Sequence, residues 1–206
     1  MKYIARGLDY FTLNGKKTDR KFEDFWAYFA SDLADIKIKG SIAEYIIKDA
    51  LDAETDIPAW YYFDVLYKTF RIEVKSSSYI QSYTRQSGKL SSPRFSIGKK
   101  PIDFPSLNKS SIPIRNNDFY IFALHNCKDV NEYNPLEISQ WTFYIVSTAY
   151  INENFDNYSA LSLKKVEEIA TPCTYENIRQ ELDKMILAMV GEKQGTSETP
   201  EEGDDE

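Results

Sequence analysis

Apolar residues recur at intervals of three and four over residues 19–35, where Phe22, Phe25, Trp26, Phe29 and Leu33 form one stripe, and that spacing predicts a helix. A second helix is expected over 41–51, with Ile42, Ile46 and Ala50 on one side. The period then changes. Residues 61–66 and 70–75 are short runs rich in aromatic and β-branched side chains, and 67–69 can turn the chain between them, so a β-hairpin is predicted. A turn centred on Lys68-Thr69 pairs Tyr67 with Phe70, Leu66 with Arg71, Val65 with Ile72 and Asp64 with Glu73.

The remaining pattern is coarser. Residues 1–15 give no firm period and read as a short strand or an irregular arm, while 78–86 read as a short helix or irregular segment and 95–97 as a short strand. Pro101, Pro105 and Pro113 mark 98–113 as an exposed loop. Residues 119–124 and 141–146 are apolar and aromatic enough to be buried strands. A modest helix is expected over 161–169, and a stronger one over 174–190, with Thr174 as its cap and Ile178, Leu182, Met185, Ile186 and Met189 as its stripe. The order helix, helix, strand, strand, loop, strand, strand, helix, helix predicts an α/β or α+β domain with a central mixed sheet flanked by helices.

At 206 residues the chain suits one domain, expected over 1–191. Residues 192–206 hold seven acids, one base and no aromatic residue, the composition of a disordered acidic tail. That tail accounts for -6 of the net charge of -7 and leaves the body near neutral, so the charge argues against tight non-specific binding to nucleic acid without excluding a basic face. No apolar run approaches membrane-spanning length, the N-terminus lacks the pattern of a secretory signal, and two cysteines, Cys127 and Cys173, fit a reduced compartment. The expectation is a cytoplasmic protein without a membrane partner.

Chemistry concentrates in the predicted hairpin. Side chains alternate along a strand, so Glu73 and Lys75 share a face and Asp64 lies across from Glu73 on it. Two carboxylates at cross-strand distance repel, a bound divalent cation relieves that repulsion, and a lysine beside them adds positive charge. This is the outline of a magnesium-dependent phosphodiesterase site. The bland alternative is the wet face of a two-stranded ribbon, since Arg71, Glu73 and Lys75 alternate with Ile72 and Val74 as in any half-exposed strand.

Asp64 followed by Glu73-Val74-Lys75 resembles the core signature of the PD-(D/E)XK nuclease superfamily, in a branch like its uncharacterised bacterial members. The resemblance covers roughly residues 40–85, and Phe63 stands where the family's name has proline. It implies a restriction-endonuclease-like core and a DNA endonuclease using Mg²⁺, with Mn²⁺ able to substitute. It also implies roles. Asp64, Glu73 and the main-chain carbonyl of Val74 would hold the ion, Lys75 would orient water or neutralise the transition state, and Glu44 on the preceding helix would join them. Glu44 has a competing explanation, because Ser41-x-x-Glu44 is also a capping box that needs no substrate.

Gln81, Tyr83, Arg85 and Arg94 bring amide, aromatic and basic groups after the hairpin and are the candidate substrate contacts. An ordinary polar surface is the simpler reading for each alone. His125, the single histidine, has only Cys127 at ligand spacing, and the default for it is structural. The expected partner is nucleic acid, DNA before RNA, with a homodimer as one candidate assembly. The competing class is a non-catalytic nucleic-acid-binding or assembly module on the same fold.

Overall fold

The computed structural model describes residues 7–53, 63–102 and 110–195. In chain order the elements are β1 (Tyr10–Leu13), β2 (Lys16–Lys21), α1 (Phe22–Phe29), α2 (Ile36–Leu51), β3 (Val65–Tyr67), β4 (Phe70–Ser78), α3 (Thr84–Ser87), β5 (Arg94–Ser96), β6 (Lys100–Ile102), β7 (Ser110–Ile114), β8 (Phe119–His125), β9 (Trp141–Ser147), α4 (Thr148–Phe155), β10 (Ala160–Ser162), α5 (Leu163–Ile169) and α6 (Ile178–Gly195).

The expected α+β architecture with a mixed central sheet is present. Four strands run in the order β3-β4-β8-β9, with β4 and β8 parallel and the two outer pairs antiparallel. The hairpin has the predicted register, Val65 opposite Ile72, Leu66 opposite Arg71 and Tyr67 opposite Phe70. Every residue of β8 is buried, because both faces of the sheet are covered. On one face Ile72, Val74, Phe119, Ile121 and Phe143 pack against Ala43, Ile46 and Ile47 of α2 and Ile178 and Leu182 of α6. On the other, Tyr120, Phe122, Tyr144 and Val146 meet Phe95, Ile97, Ile151 and Val166.

Several boundaries differ from expectation, each for a local reason. The helix expected over 19–35 is only α1. Asn14 and Gly15 both have positive φ (52° and 76°) and close a two-residue β1–β2 hairpin that claims Lys16–Lys21 as strand. Its aromatic stripe buries no residue; instead Phe22, Phe25 and Phe29 stack on one another at 5.6 and 5.7 Å. Helix α2 begins five residues earlier than predicted, since the Asp35 carboxylate accepts hydrogen bonds from the amides of Lys37 (2.8 Å) and Ile38 (3.3 Å). The segment read as a loop over 98–113 contributes the β6–β7 ribbon. Helix α4, capped by Ser147 on the Tyr150 amide at 3.2 Å, has no counterpart in the predicted pattern. Residues 61–62 of the predicted first strand and 196–206 of the predicted tail lie outside the described residues, and α6 continues through Gly195.

Candidate metal-assisted phosphodiesterase site

Strand β3 is three residues long and pairs with only the first part of β4. Beyond Ile72 no strand among the described residues continues the pairing along this edge of β4. Asp64, just before β3, donates its own amide to the Ile72 carbonyl at 3.0 Å and accepts the Val74 amide on its Oδ2 at 2.7 Å. Its carboxylate thus takes the place of a main-chain acceptor for that amide. In an extended strand residues i and i+2 turn their main-chain groups to the same edge, so the Val74 carbonyl shares that edge with Ile72.

Glu73 and Lys75 point to the face opposite Ile72 and Val74. Glu73 is buried, and its Oε1 accepts hydrogen bonds from two lysines, Lys75 on the same strand and Lys100 of β6, the latter at 2.9 Å. The Lys75 side chain is 23% exposed and that of Lys100 70% exposed. Lys100 was hidden from sequence reasoning inside the proline-rich segment. Nothing in the chain's periodicity places it against a glutamate 27 residues earlier.

The third acid arrives from α2. With Asp35 as N-cap, Ser41 falls inside the helix rather than at its start, so the capping-box explanation of Glu44 is removed. Burial pushes the Glu44 carboxyl up to about 7, with the negative charges of Asp64 and Glu73 adding to the rise and Lys75 opposing it. Asp64 is raised as well, first by burial and then by Glu73, against the pull of Lys75, the Val74 amide and Lys100. Asp64, Glu73, Lys75 and Glu44 therefore lie within electrostatic reach of one another. Among the described residues no group of three or more acids, histidines or cysteines is spaced to hold a metal by itself. Two carboxylates and a main-chain carbonyl are nevertheless ligand types that suit a hard divalent ion that keeps its waters.

Next to Glu73 lies a pocket of about 120 Å³, lined among others by Lys75, Lys100, Asn116, Asn117 and Tyr120. Its wall is rigid. The buried Arg115 guanidinium donates to the carbonyls of Ile97 (2.7 Å), Phe155 (3.3 Å) and Asp156 (3.2 Å), and Asn117 donates to the Phe119 carbonyl at 2.9 Å and Thr148 Oγ1 at 2.8 Å. The Tyr120 phenol is pushed up to about 12 by burial and by Glu73, so it remains a neutral hydroxyl.

The candidate substrate contacts do not assemble there as a set. Gln81 is tied into a network around Lys39, accepting from Lys39 Nζ at 3.0 Å and donating to the Ser78 carbonyl and to Ser91 Oγ. Tyr83 is exposed, at the N-cap of α3. The backbone of Arg85 belongs to α3, and its side chain lies outside the described residues. Arg94 is exposed on β5, its amide donating to Ser77 Oγ at 3.1 Å. His125 is fully buried between Tyr133 and Trp141, and burial lowers its pKa to about 4. Cys127 and Cys173 are free thiols.

No family model matches the chain, and no curated protein matches it in sequence. Among solved structures it is similar to a bacterial homing endonuclease, with 14% identity and a TM-score of 0.41 over 76% of this chain and 97% of that one. A likeness that remote carries no functional argument. No helix among the described residues is long and apolar enough to cross a membrane.

Proposed function

We propose that this chain is a metal-dependent phosphodiesterase of the PD-(D/E)XK type, a nuclease that hydrolyses DNA. The observation that carries the reading is the meeting of Asp64, just before β3, and Glu73 of β4 with Lys75 and Glu44 within electrostatic reach. Asp64, Glu73 and the Val74 carbonyl would hold the ion. When bound, Mg²⁺ or Mn²⁺ supplies Lewis acidity to the scissile phosphate and acidifies an attacking water.

The chain's own groups account for the rest. Lys75, buried more deeply than Lys100, sets a positive charge where the phosphorane gathers negative charge. Glu44, poised at about 7, can take a proton from the attacking water near neutral pH. The pocket beside Glu73 offers two lysines, the Asn116 amide and the Tyr120 hydroxyl to phosphate oxygens.

The test is cleavage of plasmid and single-stranded DNA with Mg²⁺ or Mn²⁺, wild type against Lys75→Ala. Metal-dependent cleavage that falls at least a hundredfold in the variant is the expected result, following the cost of about a hundredfold to a thousandfold for losing one preorganised charge. Equal rates remove the catalytic assignment. A non-catalytic binding module on the same fold is the second reading. What favours it is the double engagement of Glu73 by Lys75 and Lys100, which satisfies that carboxylate without any ion.

A further inference from the structure

The two lysines on Glu73 differ in how they are held. Lys75 belongs to β4 itself and is mostly buried, whereas Lys100 reaches the same Oε1 from the β6–β7 ribbon, a separate two-stranded sheet with a register irregularity between Lys100 and Ile102. An ion pair whose lysine is 70% exposed is worth little, because water and salt replace it at small cost. Its ammonium also lines the pocket with Asn116, Asn117 and Tyr120, where a phosphate oxygen would offer it an equivalent anionic partner. Lys100 can therefore trade a carboxylate for a phosphate without leaving its place.

We infer that Lys100 is a positioning residue that occupies Glu73 in the free protein and transfers to a backbone phosphate of bound nucleic acid, freeing Glu73 for the divalent ion. This rests on the metal-dependent reading of the same site and adds an order to it. Substrate comes first and opens the ion's second carboxylate, so the free protein binds metal weakly and does not hold a charged site in readiness. Lys75, anchored on the strand, stays beside Glu73 through the exchange.

The experiment measures Mn²⁺ affinity of the full chain by electron paramagnetic resonance, with and without a short phosphorothioate duplex, for wild type, Lys100→Ala and Lys100→Arg. Duplex should tighten Mn²⁺ binding to wild type. Lys100→Ala should bind Mn²⁺ without duplex about threefold to fivefold more tightly than wild type, the scale of one exposed ion pair. With duplex present the two should bind alike, so by linkage the duplex-induced gain shrinks by that same factor. Lys100→Arg, which keeps the charge, should restore the wild-type gain. If Lys100→Ala binds Mn²⁺ alone no better than wild type, or gains as much from duplex as wild type does, the exchange does not occur, although the metal site stands. If no form of the protein binds Mn²⁺ under either condition, the metal-dependent reading itself is lost, and the exchange with it.

Discussion

Strand β4 carries two lysine-centred polar clusters, one along its middle and one at its end, and they are built on opposite principles. In its middle, Lys75 and Lys100 meet the Glu73 carboxylate beside a pocket. Toward its end, Lys39 is only 1% exposed and donates to Ser78 Oγ (2.5 Å), the Ile80 carbonyl (3.3 Å) and Gln81 Oε1 (3.0 Å), all neutral acceptors. Burial lowers the Lys39 pKa to about 8, against the favourable charges of Asp32 and Asp35. One cluster keeps charges that a ligand can rearrange. The other consumes every donor of an ammonium to fix the turn after β4 and the segment that leads to α3. A lysine near a serine suggests chemistry only until burial is considered, and here burial separates a site from a brace.

The largest effects should separate the two clusters by what they disable. Asp64→Ala or Glu73→Ala should abolish both cleavage and metal binding, because each removes an anionic oxygen that a hard ion requires. Lys75→Ala should still bind metal while its cleavage falls about a hundredfold to a thousandfold. Lys39→Met, in the other cluster, should leave cleavage per folded molecule within a few-fold of wild type. A Lys39→Met protein that folds and loses cleavage to the extent of Lys75→Ala would merge the two clusters into one functional unit. Calorimetric metal titration beside plasmid cleavage distinguishes these outcomes.

Stability should divide the clusters the other way. Lys39→Ala removes a buried stem and the donor that satisfies Gln81, and should cost about 2–4 kcal/mol by urea denaturation. Lys39→Met keeps the stem and removes the buried charge together with that donor, so it should cost less than Lys39→Ala, about 1–2 kcal/mol. Lys75→Ala should also stay within about 1 kcal/mol, since Lys100 still engages Glu73. A Lys39→Met protein as unstable as Lys39→Ala would mean that the ammonium itself, rather than the packing of its stem, holds that end together.

How much of this was legible in the sequence follows the same division. The hairpin register was readable to the residue because the side-chain period is two, the turn is two residues long, and a one-residue slip would bury the charges on the wrong face. Asp64, Glu73, Val74 and Lys75 came with it, being local. Glu44 was readable as a position but not as a role, since only the observed start of α2 at Asp35 releases it from Ser41. Lys100 and Lys39 were not readable at all. A lysine on a helix or beside a proline reads as solvated, and only the tertiary packing of β6 beside β4 and of α2 on the sheet decides otherwise. The stripe of α1 failed for the converse reason. Its period is genuine, yet the hairpin before it shortens the helix, and among the described residues none of its aromatic side chains is buried.

The smallest effect is a pair of opposite pH slopes from groups flanking the same strand. Glu44 is raised from its ordinary 4.5 to about 7, so between those values the folded protein holds a proton that the unfolded chain has released. The Glu44 contribution to stability should therefore fall as pH rises from about 4.5 to about 7, with Asp64, raised as well, adding to the fall and buried His125, lowered from 6.5 to about 4, opposing it, so the difference between wild type and Glu44→Gln reads the Glu44 part. Lys39 is lowered from 10.5 to about 8, so above 8 the folded protein sheds a proton that the unfolded chain still binds. Its contribution makes stability rise from pH 8 toward 10.5, and Lys39→Met should remove that rise. Cys173, pushed up from 9.0 to about 11 by burial, pulls the other way above pH 9, and Tyr120 and Tyr144, both pushed up to about 12, do so above pH 10, so the comparison of wild type with Lys39→Met belongs between pH 8 and 9. Urea midpoints at fixed pH would read both slopes. If Lys39→Met left the alkaline slope unchanged, Lys39 would be titrating as a solvated lysine, and the contrast between a closed brace and an open site along β4 would fail at its buried end.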